Sequence, residues 1–421
     1  MTVTSGRQEP GADVVVVGGG IVGLAIAWSA ARTGRSVRLF DPAPAQGATF
    51  AAAGMLAPVS EYHYQEDALL DLMIASAARY PGFVEALVAE SRAVTGDSST
   101  GGGTAGYQTT ETFLLGVDHG DRQALADLYD AYRVRGLEVE PLPVRQLRAR
   151  EPWIGPRVTS GYCVAGDHQV DPRVLAGRLL DALTAAPEAT LVPERVVAVV
   201  HADPSDADSR VVGVRSERGT VIAAGEVVLA NSLGAREVEG LPNGLALPLR
   251  PVGGDILRLR VPVRMRPMLT ATVRALVHGE SVYLVPRADG TLVVGASQRE
   301  DGLAGVSAGG VYRLLRDAQE VLPAVADLEL IEATARPRPA TPDNAPLLGR
   351  ARDADGIEVP GLVVATGFFR HGILLAPIAA DICLRLTDGR GSGDTPECSA
   401  FRPDRFWTEP AAATAAERKT A

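Results

Sequence analysis

The sequence predicts an α/β protein in which a Rossmann-like domain with a parallel sheet is combined with an α+β domain that has a large antiparallel sheet. Near the N-terminus an apolar strand leads through a glycine turn into a helix. Between residues 248 and 300 the strands alternate and form a hairpin, and a buried-type strand returns near residue 360. We therefore expect the 421-residue chain to form two domains and to cross between them more than once.

The N-terminal segment contains a βαβ unit. Val14 to Val17 is a β-branched apolar run, which is typical of a buried parallel strand. Glycines follow at once, and Ile21 to Ala31 has helical composition with small residues on the side that must approach a sheet. A second apolar run, Ser36 to Phe40, ends at Asp41.

The glycine turn GGGIVG predicts a dinucleotide site. Gly18 permits the tight turn, Gly20 lets a pyrophosphate approach the backbone, and Gly23 lets the helix pack on the strand. Asp41, at the end of the second strand, is placed to accept the hydroxyl groups of a ribose. Strand, glycines, helix, strand and acid occur in the order that this site requires.

Three features favour FAD over NAD as the nucleotide. The turn lies close to the N-terminus, and no second G-x-G-x-x-G occurs in the chain. The segment from Gly47 to Pro58, GATFAAAGMLAP, is rich in small residues that let a backbone lie along a large planar ligand. An NAD-dependent dehydrogenase remains the alternative, and a yellow colour of the protein would exclude it.

The middle of the chain predicts helices and short strands. The helix from Asp67 to Thr95 contains Pro81, where we expect a break, and the stretch from Gly96 to Gly106 predicts a flexible loop. Asp171 and the proline after it are typical of a helix start. The other predicted elements are strands within 107–117, a helix over 121–135, and strands over 195–200, 210–214 and 226–229.

The later part of the chain predicts an antiparallel sheet and a return to the first domain. ILRLRV alternates, and VYLVPRADGTLVVGAS is a hairpin with Asp289 and Gly290 at its turn. A helix over 309–322, a strand within 359–369 and a glycine-bounded helix follow. The resulting division is an FAD-binding domain of 1–82, 165–240 and 332–396, a substrate-binding domain of 83–164 and 241–331, and a C-terminal tail of 397–421.

Composition limits the partners. A net charge of −10 argues against nucleic acid or an anionic membrane as a partner, because both need a basic face. Residues 1–12 lack the apolar run of a signal peptide. Three cysteines and six scattered histidines have neither disulfide nor metal-ligand spacing. We expect a cytoplasmic protein without a metal, and a homo-oligomer is left open.

The sequence resembles the FAD-dependent amine oxidases, a family that includes D-amino-acid oxidase, sarcosine oxidase and glycine oxidase. Within the family it is most similar to glycine oxidases of the thiamine-pathway type. The resemblance extends from about Asp13 to Asp388. Its motifs, in order, are GGGIVGLAIAW, AAAGMLAP, VYLVPRADGTLVVGAS, RPATPDNAPLLG and ATGFFRHGILLAP.

The resemblance implies which residues contact FAD. Sarcosine oxidases tether the flavin through a cysteine just before the TPD motif, whereas this chain has no cysteine there and Arg336 lies near that position, so we expect non-covalent FAD. Val197 would contact the adenine through its backbone, and the helix opened by Gly372 would direct its positive end at the flavin. The implied set is Gly18, Gly20, Ile21, Val22, Gly23, Asp41, Pro42, Thr49, Ala53, Gly54, Met55, Val197, Phe368, Phe369, Arg370, His371, Gly372, Ile373 and Leu374.

The resemblance also implies three substrate-binding residues. Arg338 matches the arginine that holds the substrate carboxylate, Tyr283 matches a hydroxyl on the same group, and Arg370 would add a second positive charge. The alternatives are a surface arginine, a core hairpin tyrosine and a helix-end cation, and the neighbouring motifs favour the substrate-binding roles. Glu61, His63 and Glu66 either border the site or belong to a solvated polar loop.

The implied reaction is oxidative deamination of glycine or an N-substituted glycine by hydride transfer to FAD. The products would be glyoxylate, ammonia or a primary amine, and hydrogen peroxide from molecular oxygen, with no side chain needed as a general base. Gly253, Asp255 and His371 stand where the family commonly has lysine, glutamine and asparagine, which leaves the substrate open. Oxidation of a D-amino acid or sarcosine, and an FAD-holding subunit that passes electrons to a partner protein, remain alternatives.

Overall fold

The computed structural model describes residues 8–95, 104–388 and 396–407, which form two eight-stranded sheets, a small three-stranded sheet and helices. In these residues the α-helices are α1 (Ile21–Ala31), α2 (Ala48–Ala51), α3 (Asp67–Thr95), α4 (His119–Val134), α5 (Val144–Arg150), α6 (Pro172–Ala185), α7 (Ala308–Val321), α8 (Gly372–Thr387) and α9 (Pro396–Ser399). The strands are β1 (Gln8–Val17), β2 (Val37–Phe40), β3 (Met55–Leu56), β4 (Tyr107–Gln108), β5 (Thr112–Gly116), β6 (Glu140–Pro141), β7 (Ser160–Val164), β8 (His168–Val170), β9 (Ala189–Val192), β10 (Val196–His201), β11 (Val211–Ser216), β12 (Val221–Leu229), β13 (Arg250–Arg260), β14 (Thr272–Val277), β15 (Glu280–Pro286), β16 (Thr291–Gly295), β17 (Glu329–Ala340), β18 (Leu347–Arg352) and β19 (Glu358–Thr366).

The first large sheet is Rossmann-like. Its strand β1 pairs in parallel with β2 and β12, which in turn pair in parallel with β9 and β19. Val14 and Val16 lie in the core beneath α1, α3, α6 and α8, whereas Val15 and Val17 lie in the core on the opposite face. Both faces of β1 are buried, which explains its uninterrupted apolar run. The predicted βαβ unit is confirmed, with α1 at the predicted bounds.

The second large sheet has the order β17-β13-β16-β15-β14-β5-β7-β6 and is antiparallel except for the parallel pair of β14 and β5. The predicted hairpin joins β15 to β16, and the N–H of Thr291 donates to Asp289 Oδ1 at 2.8 Å in its turn. Leu314 and Val321 of α7 lie in the core that covers one face of the sheet. The predicted α+β region with a large antiparallel sheet is therefore confirmed.

The chain passes between the two large sheets four times, after β2, β7, β12 and β17. This confirms the predicted crossing. Strand β17 pairs with β13 from Glu329 to Ala340, so the second sheet continues past residue 332, where the third predicted FAD segment begins. The domain boundaries themselves stay predictions.

The segment after α8 differs from the expected tail over its first residues. Cys398 and Phe401 are buried, and the N–H of Leu348 in β18 donates to the carbonyl of Phe401 at 2.8 Å. Residues 397–407 therefore pack against the first sheet. Residues 408–421 of the predicted tail lie outside the described residues, as do 96–103 of the predicted loop.

Helix α3 continues through Pro81, so the expected break is wrong. Proline removes one helical hydrogen bond, but tertiary packing of the residues before it and of the buried Val84 and Leu87 after it holds the helix together. Tyr80 donates its hydroxyl hydrogen to the carbonyl of Ile373 at 2.6 Å, and Ser76 donates to that of Leu374 at 2.6 Å. By length and composition Asp67–Glu90 would also suffice to cross a membrane, and here it packs on α8.

Candidate active site

A cavity of about 580 Å³ opens at the carboxyl ends of the parallel strands. Gly18 follows β1, Asp41 follows β2 and Ala230 follows β12, and all three line it together with Thr366 at the end of β19. Open α/β sheets bind their ligands at this edge. Residues of β13, β15 and β17 supply the opposite wall, so the cavity lies between the two large sheets.

The structure brings most of the predicted cofactor and substrate residues to this one cavity. Those that line it are Gly18, Gly20, Ile21, Val22, Asp41, Pro42, Thr49, Ala53, Gly54, Met55, Tyr283, Arg338, Phe368, Phe369, Arg370, Gly372 and Ile373. Four others, Gly23, Val197, His371 and Leu374, do not line it. Contact of any of these residues with a ligand stays a prediction.

Two residues outside the lining are engaged elsewhere. The carbonyl of Val197 accepts the N–H of Glu239 at 2.9 Å, and the two preceding residues, Arg195 and Val196, line the cavity instead. Leu374 is buried, and its carbonyl accepts the hydroxyl of Ser76 at 2.6 Å.

The three glycines of the turn have different surroundings. Gly18 has φ +103°, and a Cβ there would lie 2.5 Å from the Cα of Asn231. A Cβ on Gly23 would lie 1.9 Å from the carbonyl oxygen of Gly18, so this glycine lets α1 pack on the turn. A Cβ on Gly20 would approach only Thr49 Oγ1, at 3.6 Å. The open side of Gly20, at the start of α1, leaves room for a phosphate.

Asp41 and Thr49 are fixed by backbone groups. The Asp41 carboxylate accepts the N–H of Gly19 at 2.6 Å and that of Ala43 at 2.7 Å, one on each oxygen. Thr49 Oγ1 accepts the N–H of Ile21 at 3.0 Å. Carboxylate oxygens have further lone pairs, so Asp41 can still accept ribose hydroxyl groups. This arrangement fits the adenosine end of FAD.

The small-residue segment 47–58 is held by an arginine that the sequence analysis did not single out. Arg287 is buried between the sheets and donates to the carbonyl of Ala53 and, at 2.8 Å, to Gln169 Oε1. Burial lowers the pKa of its guanidinium to about 10. Gly54 has φ +71°, and a Cβ there would lie 2.0 Å from the carbonyl oxygen of Val170. The signal in the sequence that could have identified Arg287 is its charge within an apolar hairpin.

The two predicted carboxylate-binding residues each lie over a glycine. A Cβ on Gly254 would lie 2.1 Å from Nη1 of Arg338, and one on Gly295 would lie 2.4 Å from the hydroxyl oxygen of Tyr283. Arg338 Nη1 also makes a long hydrogen bond to the carbonyl of Ser297, at 3.5 Å. Burial raises the pKa of Tyr283, so its hydroxyl stays a hydrogen-bond donor.

Arg370 adds a second positive charge to the cavity lining. Its guanidinium lies 5.1 Å from the ring centroid of Phe369 and 3.8 Å from Glu66 Oε2. Its Nε is buried and has no hydrogen-bond partner. Burial lowers the pKa of Arg370, but an arginine remains charged at neutral pH.

Glu61 is buried at the cavity and is paired with Arg274, a residue that the sequence analysis missed. Arg274 Nη1 lies 2.5 Å from Glu61 Oε1, and His371 Nδ1 lies 3.6 Å from Oε2. Burial is the largest single effect and would raise the pKa of this carboxyl, but Arg274, His371 and Arg370 together outweigh it and hold that pKa well below its ordinary value. Glu61 is therefore not part of a solvated loop. His63, in contrast, is exposed. A lone charge within the strand TVRALV was the signal for Arg274.

The first residues of α8 complete the cavity. Gly372 and Ile373 line it, so the positive end of a 16-residue helix is directed at it. Arg336 also lines it and donates from Nε to the carbonyl of Gln46 at 3.1 Å. The described cysteines are buried elsewhere, so non-covalent binding stays the prediction. Together the turn, Asp41 and this helix end fit a bound FAD.

Comparisons with known proteins agree with this site. A family model described as FAD dependent oxidoreductase matches residues 13–386. Glycine oxidase of Geobacillus kaustophilus is 32% identical over 369 residues, 87% of this chain and 90% of that protein. Its crystal structure superposes with a TM-score of 0.78 at 29% identity, covering 94% of this chain and 99% of that one.

The chain is also similar to a longer kind of protein. The bifunctional protein ThiO/ThiG of Synechocystis sp. is 32% identical over 400 residues, 94% of this chain and 54% of that protein. The chain thus spans about half the length of the curated bifunctional relatives that it matches.

Proposed function

The chain belongs to the family of FAD-dependent oxidoreductases, and on this premise we propose that it oxidises the carbon–nitrogen bond of glycine or of an N-substituted glycine. The observation that best supports this proposal is that Arg338 and Tyr283 line the same cavity as the glycine turn. A planar guanidinium beside a protonated hydroxyl suits a carboxylate. The substrate would therefore be a small amino acid held by its acid end.

The protein's part in the reaction is orientation. Arg338 donates two parallel hydrogen bonds to the substrate carboxylate and Tyr283 donates a third, which fixes the direction of the α-carbon. The positive end of α8 favours negative charge in the cavity. FAD, when bound, would accept the hydride and then pass two electrons to oxygen, which forms hydrogen peroxide. Water then hydrolyses the substrate imine to glyoxylate and ammonia or a primary amine.

The direct test is a peroxide assay on the purified yellow protein. We expect hydrogen peroxide and glyoxylate in equal amounts with glycine, sarcosine or N-ethylglycine, and the ratio of kcat/KM values identifies the preferred substrate. D-Alanine tests the alternative of a D-amino acid. If glycine, sarcosine and N-ethylglycine all fail to yield peroxide, the proposed reaction is wrong.

Replacing Arg338 by alanine tests the carboxylate-binding role. We expect FAD to remain bound and KM to rise by a factor of about 10 to 100, because a hydrogen bond to a charged group contributes about 1.5–3 kcal/mol. Arg260→Ala is the matched control, since Arg260 is an exposed arginine of β13 that pairs with Glu329 at 3.1 Å. An unchanged KM in Arg338→Ala would contradict the assignment.

A second possible function is that of an FAD-holding subunit that passes electrons to a partner protein. The same purified protein can be used to distinguish it from the oxidase. Amine-dependent reduction of an artificial dye without peroxide would favour it. The second sheet brings Arg338 and Tyr283 to the cavity within this one chain, which supports the self-contained oxidase. We propose the cytoplasm as its location and molecular oxygen as its acceptor, and fractionation of cells would test the former.

A further inference from the structure

A buried ion pair lies behind the wall that carries Arg338. Asp255 of β13 and Arg299, which follows β16, are both buried, and Arg299 Nη2 lies 3.0 Å from Asp255 Oδ1. Arg299 also donates from Nε to Asp255 Oδ2 at 3.2 Å, and its remaining N–H groups reach Asp301 and the carbonyls of Leu303 and Gly305. All its nitrogens are thus engaged.

The pair anchors the segment 297–307 onto β13. Asp255 Oδ1 accepts the N–H of Ser307 at 3.0 Å, and Oδ2 accepts the hydroxyl of Ser297 at 2.6 Å. The same Ser297 hydroxyl oxygen accepts the N–H of Asp255 at 2.8 Å. Both ends of the segment are therefore bound to one carboxylate.

Ser297 connects this anchor to the site. Its side chain is held by Asp255, whereas its carbonyl accepts the Nη1 hydrogen of Arg338 at 3.5 Å. The Arg338 guanidinium also lies directly over Gly254, where a Cβ would approach Nη1 to 2.1 Å. Because neighbouring strand residues point to opposite faces, Gly254 faces Arg338 while Asp255 faces α7, against Gly310.

We propose that Asp255 and Ser297 are positioning residues that fix the Arg338 guanidinium for the substrate carboxylate, an inference that rests on the proposed function of Arg338. Stability alone is a weak reason for such a pair, because a buried ion pair loses about as much in desolvation as it gains. The ion pair of Asp255 and Arg299 instead fixes the position of the Ser297 carbonyl. Loss of the anchor would leave Arg338 charged and present but free to turn away.

The test uses the holoenzyme and glycolate, a carboxylate without an amine, whose binding is followed by the change in flavin absorbance. Ser297→Ala removes the hydroxyl but keeps the ion pair and the carbonyl. We expect the Kd of glycolate and the KM of the amine to rise about tenfold, with a smaller change in kcat. Asp255→Asn should act in the same direction, and thermal unfolding shows whether that variant is folded.

Two controls make the result specific. Asp301→Asn removes the charge of an exposed partner of the same Arg299 and should leave Kd and KM unchanged. In an Arg338→Lys background, Ser297→Ala should weaken glycolate binding no further. A residue that acts by positioning the Arg338 guanidinium has no effect once that guanidinium has been replaced by an ammonium group. Equal weakening by Ser297→Ala in both backgrounds would overturn the positioning role.

Failure of the two proposals can be distinguished. A wild-type holoenzyme that neither binds glycolate nor oxidises any amine would overturn the proposed function. A wild-type enzyme that does both, with a folded Ser297→Ala variant of unchanged Kd and KM, would overturn only the role of the Asp255 anchor.

Discussion

At the scale of single residues, the space around Arg338 depends on the absence of one side chain. A methyl group on Gly254 would lie 2.1 Å from Nη1 of Arg338, whereas one on Gly253 would meet its nearest neighbour at 3.6 Å. We expect Gly254→Ala to displace the guanidinium and raise KM about tenfold or more while FAD remains bound. Gly253→Ala is the control and should keep the wild-type KM. Equal KM values in both variants would show that Arg338 is not needed where it lies.

The residues that could be predicted are those whose role follows from local backbone geometry. Gly18 and Asp41 occur at fixed spacing within one βαβ unit, so the chain near them is sufficient to find the site. The pairs Glu61 with Arg274 and Asp255 with Arg299 are different, because their partners are 213 and 44 residues apart. No local pattern specifies which distant charge will meet a buried carboxylate.

At the scale of elements, α3 carries a proline that it does not need for local structure. Pro81 and Gly82 are exposed, and a Cβ on Gly82 would meet no atom within 4 Å. We expect Pro81→Ala to raise the free energy of unfolding by about 1–3 kcal/mol and Gly82→Ala by about 1 kcal/mol or less, measured by denaturant titration. A loss of stability in Pro81→Ala alone would mean that the helix needs a bend there to pack on α8.

Elements with strong local signals could be predicted, and those set by distant packing could not. Helix α1 and the hairpin of β15 and β16 lie where their glycine turns and apolar periods indicate. The continuation of α3 through Pro81 depends on α8, almost 300 residues later, and the membership of β17 in the second sheet depends on its pairing with β13. Local propensity carries no information about either contact.

At the scale of the whole molecule, one buried acid should change how stability varies with pH. Asp167 is buried, which raises its pKa to about 6, although its carboxylate accepts the N–H groups of Val59 and Ser60. The folded protein therefore holds this proton more tightly than the unfolded chain, whose aspartate has a pKa near 3.8. Its contribution to stability is fully present below about pH 4 and is lost as the pH rises through 6.

The matched measurement compares wild type with Asp167→Asn, whose amide does not titrate. The stability of wild type relative to the variant should fall by up to about 3 kcal/mol between pH 4 and pH 7, since a pKa difference of one corresponds to about 1.4 kcal/mol. Denaturant titrations at both pH values give this difference. A relative stability that does not change with pH would contradict the raised pKa.

The return of the chain to its first sheet has a consequence for synthesis on the ribosome. Residues Val227–Leu229 of β12 pair with Leu362–Val364 of β19, so three of the nine residues of β12 lack their partner strand on one edge until β19 has emerged. The helix that directs its N-terminus at the coenzyme emerges later still. A nascent chain stalled before residue 358 should therefore be a client of chaperones and unable to retain flavin, however complete its glycine turn.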